Sequence, residues 1–328
     1  MNFQKIPPVD VSKTILDLAF RKARERAELR ELRGPWVEAI KQKETVKLDI
    51  IKDSINSQLQ RILESFPLTE ELPSFYPKLM ELTIDVALYK KSLASLKWVI
   101  RRLHLLHREH VRKINRTLEK ENIGIHSREF YGRASSLLKQ VNPQLKYLEQ
   151  ARQIMRTYPD IKEMFTVCIY GFPNVGKTTL LNKLAGTKAL TAVYAFTTKT
   201  INAGYFTLDE QKIQVLDVPG TLARDDKLNI IEMQAELVVK ELAAVIIYVF
   251  DISEYGGFSL EQQEKLYNKI KSRDNVLVYY SKIDLLETAP HLPHKHYSLE
   301  QIKEKIVELA KASAAAKEAE EVELKDEP

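Results

Sequence analysis

The sequence has a single cysteine, only ten glycines in 328 residues, and no long hydrophobic run. One cysteine cannot form an intramolecular disulfide, and because Cys168 lies within an apolar segment we expect a buried thiol in a reducing, intracellular setting. Few glycines favour long helices over a many-stranded β architecture. The longest apolar run, Leu242 to Phe250, is far too short to cross a bilayer, and no apolar leader opens the chain. These absences predict a soluble cytoplasmic protein without a membrane partner.

Charge is distributed unevenly along the chain. The net charge is +5, but residues 1–170 carry +10 and residues 171–328 carry −5. The length exceeds what one core usually fills, so two domains are expected. An excess of positive charge in one of them indicates a polyanionic partner, and nucleic acid is the commonest soluble polyanion.

The first half of the chain has the periodicity of amphipathic helices. Apolar residues recur at three- and four-residue steps, and prolines and glycines punctuate the pattern. The expected breaks are Gly34-Pro35, the segment from Pro67 to Pro77, and Gly124. The pattern predicts a bundle of helices over 11–32, 36–65, 78–119, 127–141 and 143–157.

A different pattern begins after Pro159, where short β-rich apolar runs alternate with helical stretches. Such alternation is typical of a mainly parallel α/β sheet. We therefore expect an α+(α/β) two-domain chain, with a basic helical domain over 1–162, an α/β domain over 163–312, and an Ala- and Glu-rich tail over 313–328 that prolongs the last helix and then frays. Strands are predicted over 165–170, 204–208, 212–217, 243–251 and 275–281, with helices after Lys177 and near Asn229, Leu260 and Leu299.

A complete phosphate-binding motif follows the first predicted strand. Residues 171–178 read GFPNVGKT, which matches the G-x-x-x-x-G-K-[ST] pattern between a strand and a helix. In such a loop the backbone amides surround the β-phosphate, Lys177 reaches the β- and γ-phosphate oxygens, and Thr178 offers a hydroxyl to Mg²⁺. A chance glycine turn is the alternative. The predicted nucleotide-binding residues here are Gly171, Phe172, Pro173, Asn174, Val175, Gly176, Lys177, Thr178 and Thr179.

Two later segments supply candidate switch residues. Asp217-Val218-Pro219-Gly220 follows a predicted strand, so the carboxylate can hold Mg²⁺ through water while the amide of Gly220 reaches the γ-phosphate. Phe196-Thr197-Thr198 precedes it, and Thr198 is predicted to close over Mg²⁺. The alternative is that the two threonines simply begin a strand. The predicted metal ligands are therefore Thr178, Thr198 and Asp217.

Ser281-Lys282-Ile283-Asp284 stands in the place of an Asn-Lys-x-Asp guanine-reading motif. The carboxylate of Asp284 can accept hydrogen bonds from N1–H and from the exocyclic amine of guanine, a pair that adenine cannot offer. Serine in place of asparagine is expected to lose hydrogen bonds that brace the phosphate loop against the base-binding loop, which weakens affinity more than guanine preference. Ser298 is a further candidate base contact, and a solvated helix cap is an equal alternative for it.

A basic stripe runs along the longest predicted helix. Its members recur at three- and four-residue steps and therefore share one helix face. Phosphate contacts by such side chains give salt-dependent affinity without reading sequence. The alternative is a solvated face that pairs locally with acids such as Glu109. The stripe consists of Lys97, Arg101, His104, Arg108, Arg112 and Arg116.

These motifs resemble the Obg-related branch of translation-factor-class GTPases, in which Gly-x-Pro-Asn-x-Gly-Lys-[Ser/Thr], Phe-Thr-Thr and Asp-x-Pro-Gly occur in this order. That likeness covers about residues 163–310. The N-terminal half looks like the helical domain of the nucleolar GTP-binding protein 1 family, and the lack of a long C-terminal extension resembles its shorter archaeal form. The segments that fit are Phe3 to Val9, Ser65-Phe66-Pro67, Phe75-Tyr76, Gly132-Arg133 and Asn142 to Leu148.

The resemblance implies a Ras-like P-loop NTPase domain that binds GTP or GDP with Mg²⁺. It also implies a role in assembling the large ribosomal subunit, with rRNA and ribosomal proteins of its precursor as partners and no DNA. By likeness to potassium-activated relatives, Asn174 would help to bind K⁺, with bracing of the loop as the alternative. The predicted catalytic residues are Lys177, Thr198, Gly220 and Asn174.

Hydrolysis is expected to be slow, because Thr221 and Leu222 stand where Ras-like enzymes have a water-orienting glutamine. Three other functions stay open. One is an ATPase, since the motif at Ser281 has drifted, and another is a nucleotide-gated RNA-binding scaffold with negligible turnover. The third, a tRNA-modification or signalling GTPase, would not predict the N-terminal bundle.

Overall fold

The computed structural model describes residues 3–29, 35–162, 164–185, 190–196, 199–208, 211–218, 230–286 and 292–323. The chain divides into two compact units. The helical unit holds Asn2–Glu71 and Ile84–Arg156, and the sheet unit holds Leu72–Thr83 and Thr157–Pro328. Within the described residues the chain therefore passes between the two units three times.

The helices of the first half are long and amphipathic. In the helical unit α1 packs on α2, α2 on α4, and α4 on both α5 and α6. Fully buried leucines from each of these interfaces, among them Leu48, Leu96 and Leu145, form the core with Phe130. The helices are α1 (Ser12–Glu28), α2 (Trp36–Ser65), α3 (Phe75–Thr83), α4 (Val86–Arg116), α5 (Lys120–Gln140) and α6 (Asn142–Met155).

Two predicted helix boundaries are wrong. The single helix predicted over 78–119 is two helices, because Asp85 interrupts it and its side chain accepts a hydrogen bond from the backbone N–H of Leu88 at 2.9 Å, capping α4. Gly124 does not end a helix but lies inside α5. A helix tolerates an internal glycine at a cost of roughly 1 kcal/mol, which packing offsets.

An ion pair holds the N-terminal segment against α6. Arg152 donates to the carboxylate of Glu149 from Nη2 at 2.7 Å and from Nε at 2.8 Å, and the backbone N–H of Val9 donates to the same carboxylate at 2.9 Å. The hydrogen bond from Arg152 lowers the pKa of Glu149 to about 2. The ion pair therefore holds the segment around Val9, which belongs to neither a helix nor a strand, against α6.

The sheet unit is built on a six-stranded sheet of order β2-β3-β4-β1-β5-β6. β1 pairs in parallel with β4 and β5, and β5 pairs in parallel with β6, whereas β3 is antiparallel to both β2 and β4. The predicted fold class is confirmed, although the sequence patterns did not predict β2. The strands are β1 (Phe165–Tyr170), β2 (Leu190–Phe196), β3 (Lys199–Leu208), β4 (Gln211–Asp217), β5 (Val245–Asp251) and β6 (Val276–Ser281).

The helices of the sheet unit follow its strands. The last of them continues into the Ala- and Glu-rich segment as far as Glu323, as predicted. Cys168 is fully buried in β1, and burial raises the pKa of its thiol to about 12, as expected of a structural residue. Among the described helices, none is both long and apolar enough to cross a membrane. The helices are α7 (Lys177–Ala185), α8 (Ile230–Leu242), α9 (Leu260–Asn268) and α10 (Leu299–Glu323).

The short helix α3 packs against α8 within the sheet unit. Its residues Phe75 and Tyr76 are buried, and Lys78 Nζ donates to Glu241 Oε2 at 2.6 Å. The hydroxyl of Tyr76 accepts from the backbone N–H of Ile161 at 3.0 Å and donates to the carbonyl of Pro159 at 2.9 Å. A segment predicted as a chain break is therefore a docked part of the sheet unit.

Candidate functional site

The carboxyl ends of the parallel strands bring the predicted site residues together. The loop at Gly171 follows β1 directly, Asp217 ends β4, and Ser281 ends β6. Parallel strands present their carboxyl ends at the same edge of a sheet, where open α/β proteins bind ligands. This edge is therefore the candidate nucleotide site.

The loop between β1 and α7 has a backbone that only glycine can adopt at its ends. Gly171 has φ of +150°, and a Cβ there would lie 2.7 Å from the carbonyl oxygen of Val249. Gly176 has φ of +93°, and Asn174 between them has φ of 60°. Left-handed residues turn successive N–H groups toward a common centre and form a concavity for anions. The predicted phosphate-binding turn is thus present as a loop.

The polar side chains of this loop meet the end of β4. Lys177 is buried, and its Nζ donates to the carbonyl of Phe172 at 2.7 Å, which keeps the ammonium within the loop. Thr178 Oγ1 donates to Asp217 Oδ2 at 2.5 Å. Two predicted Mg²⁺ ligands from separate motifs therefore lie side by side.

This donor set fits Mg²⁺ held jointly with a nucleotide. In the described part of the chain, no group of three or more His, Cys, Asp or Glu side chains could hold a metal alone. Mg²⁺ commonly takes one or two protein oxygens, several waters and phosphate oxygens of the substrate. The hydroxyl of Thr178 and the carboxylate of Asp217 are hard oxygen donors of this kind.

Ser281 braces the phosphate loop, contrary to the expectation from its motif. Its buried Oγ lies 2.6 Å from the carbonyl of Val175 and 3.0 Å from the carbonyl of Phe250. A hydroxyl has one proton and donates to one of these oxygens at a time. The link between the base-binding segment and the phosphate loop therefore survives the change from asparagine to serine, and the predicted loss of bracing is wrong.

Asp251, at the end of β5, is a site residue that the sequence patterns did not reveal. Its Oδ2 accepts from Lys282 Nζ at 2.6 Å and from the N–H of Gly256 at 2.8 Å, while Oδ1 accepts from Ser253 Oγ at 2.6 Å. Burial alone would raise the pKa of Asp251, but these hydrogen bonds, led by that from Lys282, lower it overall. The signal available in the sequence was the single acidic residue at the end of an otherwise apolar strand.

The loop after β5 also packs against the phosphate loop. The rings of Phe172 and Phe258 have centroids 4.6 Å apart. A Cβ on Gly256 would lie 2.8 Å from Asp251 Oδ2 and 3.4 Å from the carbonyl of Asn174. Glycine at this position therefore leaves room for the carboxylate of Asp251, and the loop after β5 lies against the phosphate loop.

Of the remaining predicted site residues, the structure describes Asp284 and Ser298. Asp284 is exposed in a single 3₁₀ turn, Ile283–Leu285, next to the left-handed Lys282. Ser298 exchanges hydrogen bonds with Gln301 and caps α10, so a base contact by Ser298 stays a prediction. Thr198 and Gly220 lie outside the described residues.

The basic stripe is exposed along α4. His104 Nε2 lies 3.0 Å from Asn56 Nδ2, and Glu109 pairs with Lys113 at 2.8 Å and with Arg133 at 3.8 Å. Glu109 therefore does not neutralise the stripe. Among the described residues, no ion pair involves Lys97, Arg101, Arg108, Arg112 or Arg116.

A glycine-bounded phosphate loop at the carboxyl edge of a mainly parallel sheet places the sheet unit in the class of P-loop GTPases. Comparison with known families agrees, since residues 166–282 match the family described as 50S ribosome-binding GTPase. Residues 3–162 match the family described as NOG1 N-terminal helical domain. The chain belongs to the nucleolar GTP-binding protein 1 family.

Two sequence relatives align with most of the chain, and one solved structure aligns with half of it. An uncharacterised protein of Methanocaldococcus jannaschii is 34% identical over 87% of this chain and 81% of its own length. Nucleolar GTP-binding protein 1 of Drosophila melanogaster is 30% identical over 91% of this chain, which spans only 46% of that protein. A crystal structure of nucleolar GTP-binding protein 1 from Plasmodium falciparum is 23% identical with a TM-score of 0.40, covering 51% of this chain and 97% of that one.

Proposed function

We propose that this chain is a GTP-hydrolysing switch that acts in assembly of the large ribosomal subunit and contacts rRNA through the basic stripe. Support comes from the family of the relatives, whose name includes GTP binding and the nucleolus, and from the 50S ribosome-binding description of the GTPase family. For this chain a cytoplasmic setting remains the prediction from sequence. In this proposal the predicted domain over 1–162 binds RNA, and the predicted domain over 163–312 binds the nucleotide.

The observation that carries the nucleotide half is the contact between Thr178 and Asp217 beside the loop. Lys177 and the loop amides would hold the phosphates, and Thr178 with Thr198 would ligate Mg²⁺, with Asp217 acting through water. Asp284 would read guanine. Bound Mg²⁺ would neutralise charge that develops on the phosphate oxygens during hydrolysis.

Nucleotide state would control the RNA-bound complex. Contacts from the γ-phosphate to Thr198 and Gly220 would order those segments, and hydrolysis would release them. Asn174 would contribute to a K⁺ site that promotes hydrolysis. Equal turnover in K⁺ and Na⁺ would remove that role.

The test of the nucleotide half is the Lys177→Ala protein. We expect it to lose at least about tenfold in affinity for GTP with Mg²⁺, since removal of a charged hydrogen-bonding group costs roughly 1.5–3 kcal/mol. The measurement is displacement of labelled GDP from the parent and the variant by unlabelled GTP with Mg²⁺. Unlabelled ATP is the second competitor. Unchanged affinity in the variant would contradict the site, and displacement by ATP as strong as by GTP would favour an ATPase.

A nucleotide-gated scaffold with negligible turnover is the second candidate, because Thr221 and Leu222 stand where the water-orienting glutamine is found. Both candidates predict nucleotide-dependent binding to the ribosomal precursor. Phosphate release measured with purified large-subunit precursor particles separates them. Turnover in that mixture supports the switch, and its complete absence supports the scaffold.

A further inference from the structure

The chain has only two tryptophans, and both are on the surface of the helical unit. Trp36 is 69% exposed, and Lys120 Nζ lies 5.1 Å from the centroid of its ring. Trp98, in the exposed part of α4, is 47% exposed, and no ring or cation–π contact involves it among the described residues. Roughly half of the surface of Trp98 is therefore available to a partner.

Trp98 stands among the arginines of α4. Arg101 and Arg102 are three and four residues further along the helix, so they neighbour it on the same face. Leu105, seven residues from Trp98, is 51% exposed and lies on that face as well. An apolar surface thus runs beside the cations of the basic stripe.

The charge of α4 restricts the partner that this surface fits. The helix contains nine lysines and arginines and one acidic residue, Glu109, which is already paired. Lys90 pairs with Glu70 and Lys113 with Glu109, but a partner of neutral or basic surface would leave the other seven cations without counter-charge. A polyanion that also presents a flat apolar face fits both features, and nucleic acid bases are flat and carried on phosphates.

We propose that Trp98 is a stacking site for an unpaired nucleobase of the RNA whose phosphates the basic stripe holds. The proposal rests on the proposed RNA contact and extends it. In an RNA duplex the bases are stacked on one another and the faces are covered, whereas bulges, loops and single strands expose a base face to an aromatic side chain. Arg101 and Arg102 lie within one helical turn of the indole and would contact the flanking phosphates.

Fluorescence of the full-length chain provides the direct test, because Trp36→Phe leaves Trp98 as the only indole. This protein is titrated with an RNA hairpin whose stem is fully paired and with the same hairpin carrying one bulged adenosine. We expect the bulged hairpin to quench Trp98 emission and the paired hairpin to bind with little quenching. The Trp98→Phe protein, which keeps Trp36, is the matched control and should show no quenching with either RNA.

Affinity provides the second readout. Trp98→Ala should weaken binding of the bulged hairpin roughly 5- to 160-fold, which corresponds to the cost of removing a stacking aromatic, and should leave binding of the paired hairpin unchanged. Trp98→Phe should recover part of the loss, and Trp36→Phe should bind as the parent does.

The outcomes separate this proposal from the function on which it rests. If the parent binds both hairpins equally and Trp98→Ala changes neither, stacking is wrong while the phosphate contact stands. An equal loss for both hairpins also overturns stacking, since the ring would then not distinguish an unpaired base. If the parent binds neither RNA, the RNA contact and the stacking site fail together.

Discussion

Single residues decide how the phosphate loop is held. Ser281 replaces an asparagine that would carry a longer side chain, yet its hydroxyl reaches the carbonyl of Val175. The motif pattern could not predict this, because it records residue types and not the distance between β6 and the loop. The same applies to Asp251, whose partners Gly256 and Lys282 come together only in the folded chain.

Replacing Ser281 by alanine should weaken nucleotide binding. A hydrogen bond of this kind contributes about 0.5–1.5 kcal/mol, so we expect a loss of roughly three- to tenfold in affinity for GDP. Titration of the purified chain with a fluorescent GDP analogue measures it. Ser281→Asn, which keeps a donor at this position, is the matched control, and parental affinity in the alanine variant would contradict the bracing role.

Glu149 should make the helical unit sensitive to acid. Its pKa is about 2 in the folded chain against an ordinary 4.5, so its ion pair stabilises the fold above about pH 4.5 and this stabilisation is lost as the pH falls toward 2. The side chain is 25% exposed, and with screening we expect about 1–2 kcal/mol. Urea unfolding between pH 7 and pH 3 checks the slope.

In the Glu149→Gln protein the dependence of unfolding free energy on pH should flatten over the same range. The Glu261→Gln protein is a suitable control, since Glu261 is an exposed acid whose pairing with Lys265 at 3.4 Å is open to solvent. Identical slopes in the parent and the Glu149 variant would rule out this ion pair as the source.

Elements were predicted well where one signal dominated. The bounds of α2 and β1 agree with the sequence pattern, because proline and glycine mark the start of α2 and an apolar β-rich run makes up β1. The pattern failed at α3, where Pro77 falls in the first turn of a helix that it was expected to precede. The apolar spacing also continues across Asp85, which hid the boundary between α3 and α4.

The docking of α3 should depend on the hydroxyl of Tyr76. Tyr76→Phe would leave the N–H of Ile161 and the carbonyl of Pro159 buried without this partner, at a cost of about 1–3 kcal/mol. Tyr147→Phe is the matched control, since its hydroxyl donates to the carbonyl of Asp85 at a more exposed position. Thermal unfolding of both variants compares them, and equal midpoints would refute the role of Tyr76.

For the whole molecule, the uneven charge first seen in the sequence has a defined location. Much of the net positive charge of the first half lies on α4, and among the described residues the lysine and arginines of the basic stripe form no ion pair. Composition predicted a polyanionic partner, and helical spacing predicted a common face. The pair of Glu109 with Lys113 follows from i,i+4 helical spacing, whereas its contact with Arg133 could not be predicted, because it depends on how α5 packs against α4.

Replacing Arg101, Arg108 and Arg112 together by glutamine should weaken binding to large-subunit precursor RNA and flatten its salt dependence. Each lost phosphate contact lowers the slope of log affinity against log salt by about one, so a decrease of up to about three is expected. Filter binding over a salt series measures it. The charge-matched control replaces Arg24, Arg26 and Lys146, which are exposed on α1 and α6, and an equal effect in both variants would exclude a specific stripe.

The membership of α3 in the sheet unit bears on the order of events during synthesis. The buried residues Phe75, Tyr76, Leu79 and Met80 lie on α3, which leaves the ribosome long before α8, the helix on which it packs, has been translated. At about 5–20 residues per second, roughly ten to thirty seconds pass between the two. During that interval the nascent chain has a completed helical unit, but the apolar residues of α3 are not yet covered by α8. Exposed apolar residues of this kind are bound by chaperones at the exit tunnel.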